Sequence, residues 1–176
     1  AVNYDANDAP TINAPTSPVV VPGPLRTTLS SLSIEDVDAS GSTIELSLSL
    51  SNDPAATLSL STTDDLNFLT GSGTDDSSLT VEGTLAALNA ALDDLQVTAE
   101  GLGTVTLRIE VDDRGNTGTG GPQTATLDVL INFEEAPEVD EDDDGCGVTP
   151  TTTSIAPLSV LLALLVLAGL IRRRLS

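Results

Sequence analysis

Apolar and polar residues alternate along three long stretches of the chain. Ser42–Leu50, STIELSLSL, puts Ile44, Leu46, Leu48 and Leu50 on one side and Thr, Glu and Ser on the other. Gly103–Val111 does the same with Val105, Leu107, Ile109 and Val111, and Gln123–Phe133 with Ala125, Leu127, Val129, Ile131 and Phe133. Successive side chains of a strand point to opposite faces, so period-2 alternation predicts half-buried strands. Weaker strands are predicted over Ile12–Val21, Thr28–Ile34, Thr57–Ser61 and Ser78–Glu82, separated by Gly, Asn, Asp and Pro. One stretch changes period. In Gly83–Leu95, residues Leu85, Leu88, Leu92 and Leu95 recur at helical spacing, and Thr84 is placed to cap a helix there. The pattern predicts an all-β, Greek-key β-sandwich of about seven strands with one short helix.

The pattern ends at Glu134. Glu134–Asp144 reads EEAPEVDEDDD, with eight acids among eleven residues, and such a block repels itself and stays extended. A Thr-rich stretch containing Cys146 follows. Then Ile155–Ile171 runs for 17 uncharged residues up to Arg172, Arg173 and Arg174. As a helix it would be about 26 Å long, enough for a thin bilayer core. It predicts a single C-terminal transmembrane helix, with the arginines initially cytoplasmic and the sandwich outside.

Self-similarity organises the other end. Val2–Tyr4, VNY, answers Ile131–Phe133, INF; Asp8-Ala9-Pro10 answers Glu135-Ala136-Pro137, with the two prolines 127 residues apart. Residues 1–7 are therefore expected to close a preceding repeat, making this the final repeat of an array. The divisions that follow are 1–7, a sandwich over 8–133, a linker over 134–154, a membrane helix over 155–171 and a basic tail over 172–176.

Charge narrows the chemistry. The chain has 27 acidic and 6 basic residues, a net charge of −21, with no His and one Cys. Without histidine there is no Ser-His-Asp or Cys-His site. The lone cysteine provides neither an internal disulfide nor a thiolate metal cluster. A polyanionic surface repels nucleic acid. Three aromatic residues are too few for a stacking platform. Non-enzymatic function is the expectation; a glycosidase-like carboxylate pair lacks the aromatic residues around it. Calcium is the ligand the acids suit, because it takes six to eight oxygens from carboxylates, amides and carbonyls. The candidates are Asp5, Asn7 and Asp8 at the repeat junction, Asp36 and Asp38 in an Asp-x-Asp turn, and Asp112 and Asp113 at a strand end. Asp and Asn are also ordinary turn residues, which is the plainer account of the same positions.

DANDAP, IEDVDASGSTIELSL, EVDDRGNTGTGG and QTATLDVLINFEEAP together resemble a bacterial cadherin-like repeat over roughly residues 8–137. The resemblance implies a Greek-key sandwich of about seven strands with calcium at the junctions between repeats. By resemblance, Asp5, Asn7 and Asp8 match the inter-repeat linker, Asp36 and Asp38 the Asp-x-Asp pair, and Asp112 or Asp113 the acid before the last strand. The first-strand glutamate of that family is missing, as is its Asp-Arg-Glu motif. Gly-Cys-Gly, the hydrophobic helix and the terminal arginines resemble a MYXO-CTERM sorting tail, which implies cleavage near Cys146 by a sorting protease and lipid anchoring through it. The expected function is a calcium-binding stalk or adhesion repeat, anchored to the membrane at the cell surface and partnered by the neighbouring repeat. The alternative is a metal-independent acidic spacer tethering an upstream domain, catalytic or not.

Overall fold

A computed structural model describes residues 6–138 except 24, 40, 116 and 117. Glu134 closes the last strand instead of opening the expected linker; residues 139–154 of that linker, Cys146 among them, the expected membrane helix and the basic tail lie outside the described residues, as does Asp5. The described part is mostly β-sheet with one short helix, in a sandwich-like arrangement.

Its strands are β1 (Thr11–Asn13), β2 (Val19–Pro22), β3 (Arg26–Leu29), β4 (Ser33–Glu35), β5 (Thr43–Ser51), β6 (Thr57–Ser59), β7 (Asn67–Thr70), β8 (Ser78–Thr84), β9 (Leu95–Thr98), β10 (Gly103–Asp112) and β11 (Thr124–Glu134). Helix α1 spans Leu85–Leu92. Six strands form one sheet in the order β2-β11-β10-β5-β8-β7; β3-β9-β6 form a second, and β1 pairs with β4. The three strongly alternating segments lie side by side as β11, β10 and β5. Their apolar sides meet Leu79 and Val81 of β8, Leu29, Leu58, Leu95 and Val97 of the three-stranded sheet, and Leu88 and Leu92 of α1 in one buried core.

Among the described residues there are eleven strands rather than about seven, and local chemistry accounts for the difference. Ile12–Val21 is two strands, because Pro15 and Pro18 lack the N–H a continuous ladder needs. Thr28–Ile34 is also two. Ser31 takes a left-handed conformation (φ 69°), so β3 pairs with β9 while β4 pairs with β1. Leu95 belongs to β9, not to the helix. The helix stops at Asp93, and Asp94 (φ 60°) turns the chain out of it. The helix starts as expected, with Thr84 Oγ1 accepting from Ala87 N at 3.2 Å. Asn89 then fixes it sideways: its amide donates to Ile34 O at 2.9 Å and accepts from Ile34 N at 2.7 Å, extending β4 with a side chain.

The β10–β11 ladder sets the long axis. It runs from Asp112 opposite Thr124 to Gly103 opposite Phe133, about 30 Å at strand rise. At one end, here the upstream pole, lie the β10–β11 loop, the Asp36–Ala39 turn and the incoming segment Ala6–Asp8. At the downstream pole lie the Ser51–Pro54 and Glu100–Gly103 turns and the outgoing Glu134.

Candidate cation-binding junction

Three backbone segments converge at the upstream pole. Ala6 bridges Thr119 in parallel, and Asn7 N donates to Thr119 O at 3.0 Å. The Asn7 amide donates to Asp113 Oδ2 at 2.5 Å and to Gly121 O at 2.9 Å, while Asn7 O accepts from Gln123 Nε2. Asp8 N donates to Asp38 Oδ2 at 2.9 Å. The incoming chain is thus held between the β10–β11 loop and the Asp36–Ala39 turn. Gly118 makes the passage possible. Its φ is +84°, and a Cβ there would lie 2.6 Å from Ala6 C and from Asn7 N.

The acids divide their work. Asp113 is 2% exposed. Its Oδ1 accepts from Gly115 N at 2.7 Å and Gln123 N at 2.8 Å, and its Oδ2 from Asn7. It closes the loop on itself and on the incoming chain. Asp112, its neighbour on a strand, points to the opposite face, where its Oδ1 accepts from Arg114 N at 2.7 Å. Asp8 offers its backbone N–H and leaves its side chain exposed. The structure therefore brings Asn7 and Asp113 together and sets Asp112 apart from them.

Asp36 is the unusual group. Its Oδ1 accepts from Asp38 N at 3.1 Å and Ala39 N at 3.2 Å, the local bonding that makes Asp a turn former. Its Oδ2 is buried with no hydrogen-bond partner. Leaving a buried acceptor without a donor costs about 1–3 kcal/mol. Burial, and then the adjacent Asp38 carboxyl, push the Asp36 pKa up to about 6. Asp38 is held below the ordinary value, first by Asp36 and then by the Asp8 N–H. The two carboxyls behave as a pair in which a proton on Asp36 is the donor that is otherwise missing. A cation satisfies the same oxygen, and an all-oxygen donor set is the kind calcium takes. Among the described residues no three acidic side chains converge into a metal-binding group. Asp36 and Asp38 thus fit part of such a site and leave the other ligands to be supplied.

A second acidic feature escaped the sequence reading. Asp112, Glu45 and Glu82 face one another in register across β10, β5 and β8. Like charges placed directly opposite destabilise a sheet. Arg114 offsets this: its guanidinium donates to Glu45 Oε2 at 2.5 Å and also to Glu82 Oε1. Asn67 on β7 adds a bond to Glu82 Oε2 at 3.0 Å. Only the strand register joins these residues; no local motif marks them.

At the downstream pole a hollow of about 310 Å³ is lined by Asn52, Asp53, Pro54, Glu100 and Leu102 among others. Asp53 ties its two turns together, accepting from Glu100 N at 3.0 Å and Ala55 N at 3.0 Å, and these bonds hold its pKa low.

No family model matches this sequence, and neither does any curated protein. Among solved structures, surface layer protein SbsC, domains 1–6, is 18% identical with a TM-score of 0.36; the match covers 74% of this chain and 14% of that one. AggA, the major subunit of aggregative adherence fimbriae type I from Escherichia coli, is 14% identical with a TM-score of 0.40, covering 77% of this chain and 100% of that one. A cohesin module from a Clostridium perfringens family 33 glycoside hydrolase is 14% identical with a TM-score of 0.38, covering 73% and 99%.

Proposed function

We propose that this chain is a non-enzymatic stalk or adhesion module, outside the cytoplasm at the cell surface, in a tandem array of Greek-key sandwiches. One observation carries the reading: the chain comes in at one end of the β10–β11 ladder, held by Thr119 and Asp113, and leaves past Phe133 at the other. A module threaded end to end adds length with each repeat, as a stalk requires. Calcium is proposed at Asp36 and Asp38, where it supplies the unmet partner of Asp36 Oδ2. Asp5, Asn7, Asp8, Asp112 or Asp113 and the preceding repeat are the remaining sources of oxygen. The tail reading stands beside it on sequence alone: Ile155–Ile171 enters the membrane, and Cys146 is the site of processing and lipid attachment.

The test is the melting temperature of the intact protein in millimolar calcium and in EDTA. A cation bound only by the folded state raises it by mass action. Asp38→Asn should remove most of that rise. An unchanged melting temperature in EDTA rejects calcium and leaves the metal-independent spacer. That second reading draws support from Asn7 and Asp113, which satisfy each other without a cation.

A further inference from the structure

We infer that the hollow at the downstream pole is a binding site for a basic side chain, arginine or lysine, presented by a partner protein. The inference gives the adhesion reading a partner of stated chemistry and uses neither calcium nor the upstream pole. The hollow lies between the Ser51–Pro54 and Glu100–Gly103 turns, and its volume of about 310 Å³ is at the small end of ligand sites. It suits one side chain rather than a large molecule. Its walls are fixed. Asp53 Oδ2 accepts from Glu100 N at 3.0 Å across the two turns, and Asp53 Oδ1 accepts from Ala55 N at 3.0 Å within its own. Asn52 is left-handed (φ 73°), with its amide donating to Thr106 Oγ1 at 2.9 Å. A site whose walls are already held loses little freedom on binding.

The lining decides what enters. It carries two acids, Asp53 and Glu100, and no basic residue. The N–H bonds to Asp53 hold its pKa low and keep it ionised. The Glu100 carboxylate is exposed and meets no arginine among the described residues. Leu102, 60% exposed, and Pro54 add apolar surface beside these oxygens. An arginine or lysine side chain has the matching two parts, an aliphatic stem that lies along apolar surface and a cationic head of N–H donors. The net charge of −21 draws cations toward the chain and repels anions. Gly101, also in the lining, points the same way. Its backbone is not left-handed, and a Cβ there would meet nothing within 4 Å. Neither its conformation nor packing among the described residues asks for glycine; room for an occupant does.

Amide chemical shifts of the isotope-labelled intact chain, in zwitterionic micelles at low salt, test this with N-acetyl-arginine amide as the probe. The expected result is saturable movement confined to the amides of the two turns. It should be absent with N-acetyl-citrulline amide, which has nearly the same shape and no charge. Glu100→Gln removes one charge and should weaken the probe about threefold, as for an exposed ion pair. Gly101→Ala should weaken it at least as much, with the melting temperature of the parent. Glu100→Gln keeps the backbone bond to Asp53, so the test stands even if Gly101→Ala loosens the turn. Equal movement with the citrulline probe overturns the cation site. Movement with the same midpoint at Asp64, Asp75 and Asp93 shows attraction to a polyanionic surface only and overturns it as well. So does the lack of any saturable movement, or binding unchanged in both variants. Each of these failures leaves the calcium and stalk readings standing, because neither uses the hollow.

Discussion

Two carboxylate clusters, one of three acids spread over three strands and one of two acids in a single turn, are neutralised differently. Asp112, Glu45 and Glu82 lie on an open sheet face, and the chain gives them Arg114. Asp36 and Asp38 lie in a closed turn, where one oxygen of Asp36 is buried without a hydrogen-bond partner and the carboxyl keeps its proton up to about pH 6. In the first cluster the Arg114 guanidinium reaches Glu45 and Glu82, and its backbone N–H reaches Asp112. The difference shows that acidity alone says little about metal binding; what matters is whether the fold has already placed a cation or a donor on each oxygen.

That contrast can be broken at several points. The largest effect is expected at Asp113, which belongs to neither cluster and accepts from Asn7, Gly115 N and Gln123 N. Asp113→Ala leaves Gly115 N and Gln123 N without their acceptor and releases Asn7, and should cost about 3 kcal/mol in urea unfolding. A cost that vanishes in EDTA would reassign Asp113 to the metal.

Asp36→Asn comes next. The amide keeps the Oδ1 acceptor and puts donors where Oδ2 had none, so in EDTA at pH 7 the variant should gain about 1 kcal/mol. In calcium it should fall below the parent. Stabilisation in both solutions would exclude Asp36 as a ligand.

The pH dependence follows from the same group. Folded Asp36 keeps its proton up to about pH 6, whereas an unfolded aspartate loses it at about 3.9. Its proton-linked stability is complete below about pH 4 and is lost as pH rises through about 6. Asp38 has the opposite sign: its contribution is present above the ordinary aspartate value and fades only in stronger acid. In EDTA the melting temperature should therefore contain a component that falls between pH 4 and about 6 in the parent and is missing in Asp36→Asn. Identical profiles would place the proton elsewhere.

The smallest effect is expected at Arg114. The arginine and its partners are partly exposed, so solvent screens them, and Arg114→Gln should cost about 1 kcal/mol or less. The difference should shrink in molar salt. A salt-independent loss would mean that Arg114 holds the loop by packing, not by charge.

The sequence revealed what is periodic and local. Ile44 to Leu50, Val105 to Val111 and Ala125 to Phe133 marked the central strands, and Thr84 marked the start of the helix. It also singled out Asn7, Asp36, Asp38 and Asp113, whose roles at the upstream pole the fold then separated. What stayed hidden was β7, four residues long with a bulge after Phe68, and β9, whose Leu95 also fitted the helical spacing. The Arg114–Glu45–Glu82 row stayed hidden for a different reason. Its members are 69 and 32 residues apart, and only the pairing of β10, β5 and β8 gives them a common surface. Gln123 and Asn89 are similar cases, polar residues whose partners lie across the fold.

The opposite placement of Ala6 and Glu134 has a mechanical consequence. A pull on Ala6 passes through Thr119 and Asn7 into the β10–β11 loop, and a pull on Glu134 acts on the other end of β11. The load then runs along β11, while the ladder hydrogen bonds to β10 and β2 lie across it. Bonds loaded across their length in this way share the force and yield together in shear, whereas a hairpin peeled from one end gives up its bonds one by one. The few bonds that hold Ala6 and Asn7 face a β10–β11 ladder of ten residue pairs, so a pull on the incoming segment should free it before the sandwich opens.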